Sequence, residues 1–260
     1  MNTKILILIL SSNRYPSPLN EYSQKKTWIK DAEAAGIDVL FYKAGKKTKL
    51  RNKYLYVEQK DKSVVGITEK TLKAFDWVSK NRDYDLIFRI NSSSYINIDN
   101  FIKFISQIKI EKLYSGKVMN FHGNDYVSGA GILISKDLVK LIINQKENIN
   151  KNYLDDVAFG DLLNNQNIEI NKSGYQYFSD NIYRQEIDTT QYQYRCNLYY
   201  FGYPRYLEIF VFRKIQRALL NKSDNSIDTL IKPLMDLLKK LNFNYFYLKN
   251  IAKSNKVYRN

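Results

Sequence analysis

Residues 4–10 read Lys-Ile-Leu-Ile-Leu-Ile-Leu and stop at Ser11-Ser12-Asn13, with Pro16 close behind. An unbroken aliphatic run closed by turn formers fits a strand covered on both faces, the environment of a central strand in a parallel sheet. A chain containing such a strand must supply helices for both sides of it, so an α/β layer fold is expected. The lysine followed by apolar residues has the outline of a signal peptide, but the run is only about six residues and no small-residue cleavage site follows. It is read as a buried strand.

The rest of the pattern alternates. Asn20 to Ala35 has helical spacing and halts before Gly36, and Ile37 to Tyr42 reads as a second strand. Lys53 to Val57 is a third strand. A helix over Thr68 to Ser79 places Leu72, Phe75, Trp77 and Val78 ahead of a short buried strand at Asp85 to Arg89. Asn91 to Asn97 is then a polar loop at the carboxyl end of that strand, where open α/β sheets hold their ligands. Ile98 to Ile108 reads as helix, Lys112 to Asn120 and Asp125 to Ser135 as strands, and Lys136 to Asn144 and Asn152 to Leu163 as helices. Weak strands follow near Ile168 to Ile170 and Tyr175 to Phe178. From Tyr206 onward the character changes to three helices, Tyr206 to Leu220, Ser226 to Leu241 and Tyr245 to Ala252.

A length of 260 residues suits one large α/β core with a small appendage. The 22 Tyr and 13 Phe, within 44% hydrophobic residues, argue against disorder. The net charge of +15 favours a polyanionic partner: nucleic acid, an anionic membrane surface or a phosphorylated ligand. Cys196 is the single cysteine, so no internal disulfide or structural zinc site is expected, and a reducing cytoplasm fits best. No apolar stretch approaches the roughly 18 to 20 residues that span a bilayer. Membrane contact is therefore expected to be peripheral. The basic stretch Arg213 to Arg217, beside Phe210, Val211, Phe212 and Ile215, suits either anionic lipid or packing on the main domain.

Several segments, taken in order over roughly residues 4 to 164, carry a family resemblance. Lys25-Lys26-Thr27-Trp28 resembles an Arg-x-Thr-Trp element, and Ile67-Thr68-Glu69-Lys70-Thr71, followed by Phe75-Asp76-Trp77-Val78, resembles a Leu-Thr-Leu-Lys-Thr helix. Phe88 through Asn97 matches a Lys-Thr-Asp-Asp-Asp-Val-Phe-Val-Asn segment, with register set by Arg89, Tyr95, Ile96 and Asn97. Leu113 to Val118 and Tyr126 to Ser135 resemble strands carrying Gly-x-Val and Ser-Gly-x-Gly, and Leu154 to Gly160 resembles Glu-Asp-Val-x-x-Gly. Together these resemble the fringe and β-1,3-glycosyltransferase type of GT-A enzyme. The resemblance implies a GT-A-like (Rossmann-like) mixed sheet flanked by helices, assigned to residues 1–203, and the change of pattern near Tyr206 makes residues 204–260 a C-terminal helical extension. It also places Asn91, Ser92 and Ser93 where the family carries its aspartates, and makes Asp156 the catalytic base of an inverting transfer.

Transfer from a nucleotide-sugar breaks an anomeric C–O bond while negative charge grows on the departing diphosphate, and the acceptor hydroxyl must lose its proton. Metal-dependent relatives meet the first need with a carboxylate-bound dication. Neutral Asn91, Ser92 and Ser93 remove most of that attraction, so no metal cofactor is expected, although Asp61 or Asp99 can in principle supply a ligand for Mn2+ or Mg2+. Cationic side chains must then face the diphosphate. Arg195, in Tyr192-Gln193-Tyr194-Arg195, is the first candidate; its other reading is a surface ion pair or stacking on neighbouring tyrosines. Arg89 and Lys70 are further candidates that suit structural roles as well.

Other positions carry two readings each. Asp155, beside the proposed base, is a candidate for contact with donor or acceptor, and Asp155 and Asp156 also suit the positive end of a helix. Gly129 and Gly131 permit close approach of donor or acceptor, or mark a bulge. Ser11 and Ser12 end the first strand where a nucleotide commonly lies, and serve equally as turn residues. His122, the one histidine, is assigned no role. Three functions are weighed: an inverting glycosyltransferase with a nucleotide-sugar donor and a glycan or polysaccharide acceptor, a non-catalytic nucleotide- or carbohydrate-binding domain of the same fold, and a nucleic-acid-binding protein. The last lacks any recognised motif.

Overall fold

The structure is a computed structural model and describes residues 3–60, 66–172, 176–177, 186–198, 203–220 and 237. Strand β1 (Ile5–Leu10) sits at its centre. Ile5, Ile7 and Ile9 point into one apolar core and Leu6 and Leu8 into the other, so strict alternation along β1 divides isoleucine from leucine across the sheet. Full burial of each side chain contributes about 1.5–3 kcal/mol.

From β1 the chain runs through α1 (Ser17–Lys26), α2 (Ile29–Ala34), β2 (Asp38–Gly45), β3 (Lys49–Arg51), β4 (Tyr54–Glu58), α3 (Ile67–Asn81) and β5 (Leu86–Asn91). It continues through β6 (Ser94–Ile96), α4 (Ile98–Ser106), β7 (Tyr114–Gly116), β8 (Val118–Phe121), β9 (Asn124–Val127), β10 (Gly131–Ser135) and α5 (Lys136–Asn144). After α6 (Asp155–Asn165) come β11 (Asn171–Lys172), β12 (Gln176–Tyr177), β13 (Gln193–Arg195) and α7 (Glu208–Leu219). The main sheet has the order β11-β7-β10-β5-β1-β2-β4-β3. β1 pairs in parallel with β2 and β5, whereas β10 is antiparallel to β5. The chain moves to one side of β1 for β2 and to the other for β5, so their carboxyl ends bracket a topological switch point, the usual ligand crevice of such sheets.

Several boundaries differ from the sequence expectation. The helix expected over Asn20 to Ala35 is two helices, because Thr27 leaves helical geometry and turns Trp28 into complete burial. The loop expected at Asn91 to Asn97 contains β6, which pairs with β13 in a small second sheet. The strand expected over Lys112 to Asn120 breaks at Lys117, and that over Asp125 to Ser135 breaks at Ser128–Ala130; β8 and β9 leave the main sheet as a separate hairpin. His122 occupies that hairpin's turn with a positive φ of 51°.

Val211, Phe212 and Ile215 of α7 pack into the same core as Ile7, Trp28 and Phe88. The helices expected at 226–241 and 245–252 lie outside the described residues, apart from Leu237. Among the described residues, no helix is long and apolar enough to cross a membrane.

Gly116 ends β7 at φ 151°, and a Cβ there would overlap the Gly131 carbonyl oxygen and Val127 Cγ1. Since one obstacle is backbone, Gly116→Ala is expected to destabilise the fold by about 1–3 kcal/mol, read from the urea midpoint at constant slope. An unchanged midpoint would show that the strand end can shift freely.

Candidate active site

A cleft of about 390 Å³ opens at the carboxyl ends of β1 and β5. Ser11, Ser12 and Arg14 reach it from the end of β1, and Asn91, Ser92 and Ser93 from the end of β5. Lys70 of α3, Arg195 of β13 and Arg205 ahead of α7 complete its charged lining, making four cations with no carboxylate among the lining residues. The structure thus brings Arg195 to the loop at residues 91–93, and β13 explains how: Arg195 lies in register with Ser94 across the β6–β13 pair. Among the described residues, its buried Nη1 has no hydrogen-bond partner. An orphaned buried cationic donor is costly unless a ligand satisfies it.

Helix α1 organises the cleft from behind with polar residues. Glu21 accepts a hydrogen bond from the Ser11 hydroxyl and an ion pair from Lys43 at 2.7 Å. Gln24 Nε2 donates to the Ser94 carbonyl at 3.0 Å, tying the turn after β5 to the helix. Because its buried face is Ser17, Asn20, Glu21 and Gln24, α1 has no apolar stripe, and hydrophobic periodicity cannot locate it.

Beneath the cleft lies a buried charge network. Arg89 is 1% exposed and pairs with Asp155, 3% exposed, at 2.7 Å. Its Nη1 donates to Asn91 Oδ1 at 2.8 Å and to the Gly129 carbonyl, and its Nε donates to the Tyr42 hydroxyl at 3.2 Å. Thr71 Oγ1 donates to Asp155 at 2.7 Å. Burial opposes the Arg89 charge, but Asp155, Tyr42 and Asp156 outweigh it and hold the guanidinium more firmly protonated than usual. Burial pushes Tyr42 up to about 12, so it stays a neutral phenol. Neither Arg89 nor Asp155 lines the cleft; the expectation of direct ligand contact for either meets side chains already saturated by one another.

Asp156 stands differently. It does not line the cleft either, but it is only partly buried and lies two residues beyond Leu154, which does. Its Oδ2 accepts the Gly129 N–H at 2.7 Å and its Oδ1 the Val157 N–H at 3.0 Å. Burial, reinforced by the neighbouring Asp155, raises its pKa above the ordinary 3.8. Gly129 is needed for close approach, since a Cβ there would lie 3.0 Å from Asp156 Oδ2 and 3.2 Å from Arg89 Nη1. Gly131 has a different neighbour: the Gln193 side chain occupies the space that a Cβ there would need. A continuous path of hydrogen bonds therefore runs from Asn91 in the cleft through Arg89 and Gly129 to Asp156.

Arg14, Asn197 and Arg205 line the cleft without having been singled out from sequence. Arg14 follows the serines that end β1, a positional signal that was there to be used. Arg205 follows Pro204 far from any motif, and nothing local marks it. The lining has, among the described residues, four cations and no carboxylate, a set with little attraction for a divalent ion. Among the described residues, no three His, Cys, Asp or Glu side chains gather to hold a metal. Asp61 lies outside those residues.

No protein-family model matches the sequence, and comparison with curated proteins finds no match. Solved structures are informative. A glycosyltransferase involved in the glycosylation of the major capsid of PBCV-1 superposes with a TM-score of 0.53 at 11% identity, covering 81% of this chain and 99% of that one. The catalytic domain of Drosophila β1,4-galactosyltransferase 7, in complex with xylobiose, overlaps less deeply, with a TM-score of 0.42 at 13% identity over 65% of this chain and 64% of that one. The architecture is thus a mixed α/β sheet flanked by helices that a glycosyltransferase shares.

Proposed function

We propose that the chain is an inverting glycosyltransferase that moves a sugar from a nucleotide-sugar to a glycan or polysaccharide hydroxyl, with cationic side chains in place of a divalent ion. The observation that carries this reading is the cleft at the switch point, which among the described residues has four cations, an arginine Nη1 without a partner and no lining carboxylate. As the anomeric bond lengthens, charge accumulates on the diphosphate, and Arg195 with Lys70, Arg14 and Arg205 stabilises it there. The turn at Asn91, Ser92 and Ser93, with Ser11 and Ser12, supplies neutral donors to the donor's polar groups.

Asp156 takes the acceptor proton. Its raised pKa makes it a stronger base than a solvated aspartate, and its two backbone donors fix its orientation. A single carboxylate acting as base, with direct in-line attack by the acceptor, inverts the anomeric centre. Arg89 and Asp155 hold Gly129 and Asn91 in place from below.

A panel of nucleotide-sugars tests this by nucleoside diphosphate release in excess EDTA. Turnover is expected to persist, and Arg195→Met is expected to lower kcat/KM about 100-fold, the scale of losing one charge-stabilising donor. Activity that vanishes with EDTA and returns with manganese overturns the metal-free part. Binding of a nucleotide-sugar with no turnover for any acceptor favours a non-catalytic binding domain.

A further inference from the structure

The segment just before α7 brings a cation into the cleft, and a buried carboxylate fixes it. Glu208, the first residue of α7, is fully buried. Its Oε1 accepts Arg205 Nε at 2.8 Å and the Leu198 N–H at 3.4 Å. Its Oε2 accepts Arg205 Nη2 at 3.2 Å and the side-chain amide of Asn20 on α1. Arg205 itself is one-third exposed and lines the cleft.

A fully buried carboxylate with four donors from three separate segments is an arrangement built for geometry. Arg82, by contrast, meets Asp38 only at 3.6 Å, with both side chains substantially exposed. The forked pairing occupies one edge of the Arg205 guanidinium, Nε and Nη2, and Nη1 takes no part in it. An arginine held along one edge has little rotamer freedom left to lose when a ligand arrives. The same helix α1 that holds Glu208 through Asn20 also holds Ser11 through Glu21 and the Ser94 carbonyl through Gln24. Both ends of the cleft are therefore referenced to one helix.

We infer that Glu208 is a positioning residue that holds Arg205 toward the diphosphate of a nucleotide-sugar, so that the 205–208 segment belongs to the donor site. This rests on the donor reading given above. Arg205 touches the phosphate oxygens; Glu208 acts only through Arg205.

Calorimetric titration of the full chain with UDP, GDP, dTDP and ADP, and with the matching nucleosides, tests it. For the base that binds, Arg205→Met is expected to weaken the diphosphate at least tenfold and leave the nucleoside unchanged. Glu208→Gln, which keeps the shape and removes the charge, is expected to show the same selective loss, and the double variant no more than either alone. Arg205→Lys, which keeps the charge and loses the fork, is expected to recover only part. Should Glu208→Gln fail to fold, the contrast between Arg205→Met and Arg205→Lys still decides. Native diphosphate affinity in Arg205→Met overturns the inference, as does equal loss of nucleoside and diphosphate in Glu208→Gln. A native chain that binds none of the four diphosphates overturns the donor reading itself, and the role of Arg205 with it.

Discussion

Asp156→Asn is expected to abolish sugar transfer and to remove a pH dependence from the stability of the fold. The amide is nearly the same shape, but its one oxygen can keep only one of the Gly129 and Val157 N–H groups that the carboxylate takes on separate oxygens, and its NH2 faces the other. What it loses is the capacity to take a proton, and loss of a general base costs on the order of 100- to 10,000-fold in rate. The pH dependence of stability has a definite sign. Burial first, and Asp155 second, raise the Asp156 pKa in the folded chain above 3.8. A raised carboxylate contributes stability in its protonated form, present below the unfolded value and lost as pH climbs through the folded one. The ionised group is thus less favourable to the fold than its protonated form, a titration that the asparagine lacks. Relative to the variant, the wild type should therefore gain stability as pH falls into the acidic range, and the wild-type rate should fall over the same interval. Near-normal turnover in the variant would eliminate the base assignment, and a wild type that gains stability over the variant as pH rises would contradict the electrostatics.

The largest stability effect is expected beneath the cleft. Arg89→Met removes the guanidinium but leaves Asp155 almost completely buried, with Thr71 as its remaining side-chain partner. Stranding one half of a buried pair typically costs about 3–5 kcal/mol, a large share of the roughly 5–15 kcal/mol that holds a domain folded. Met fills the aliphatic space, so little of the loss comes from a cavity. Asp155→Leu added to Arg89→Met is expected to recover much of the stability, since an apolar replacement for a whole buried pair is often near neutral. Thr71 can keep its bond to the Ile67 carbonyl at 3.1 Å in that background. Urea unfolding of the two single variants and the double variant measures the coupling. A cost below about 1 kcal/mol for Arg89→Met would show that the ion pair is not what holds Gly129 and Asn91 in place.

The parts of this molecule that were legible in sequence are those whose pattern is local. β1 declares itself because six aliphatic residues in a row have few other uses, and α5 matches its expected span, Lys136–Asn144, because an apolar face recurs at helical spacing. Helix α1 was misplaced since its inward face is polar, serving the cleft instead of the core. β6 is hidden in a serine-rich turn, and it exists as a strand only because β13 arrives from far along the chain to pair with it. Arg89 offered a signal that composition obscures: a charge in the middle of a strand buried on both faces requires a partner, and the partner is Asp155. Arg205 offered none, because its place is set by Glu208, Asn20 and Leu198 in three dimensions.

The β6–β13 pairing also bears on the order in which the molecule is made. A chain emerging residue by residue exposes β1, β2 and β5 first, and their parallel pairing needs only segments already synthesised. The partner of β6 and the arginine it carries arrive much later, and α7 later still. Until then the nascent chain has a nearly complete central sheet and an open crevice with half its cations, together with the uncovered apolar surface that α7 will close. The newborn protein should therefore pass through a stage that is folded at its centre, unable to hold a ligand and prone to sticking, and chaperone dependence would concentrate in that interval.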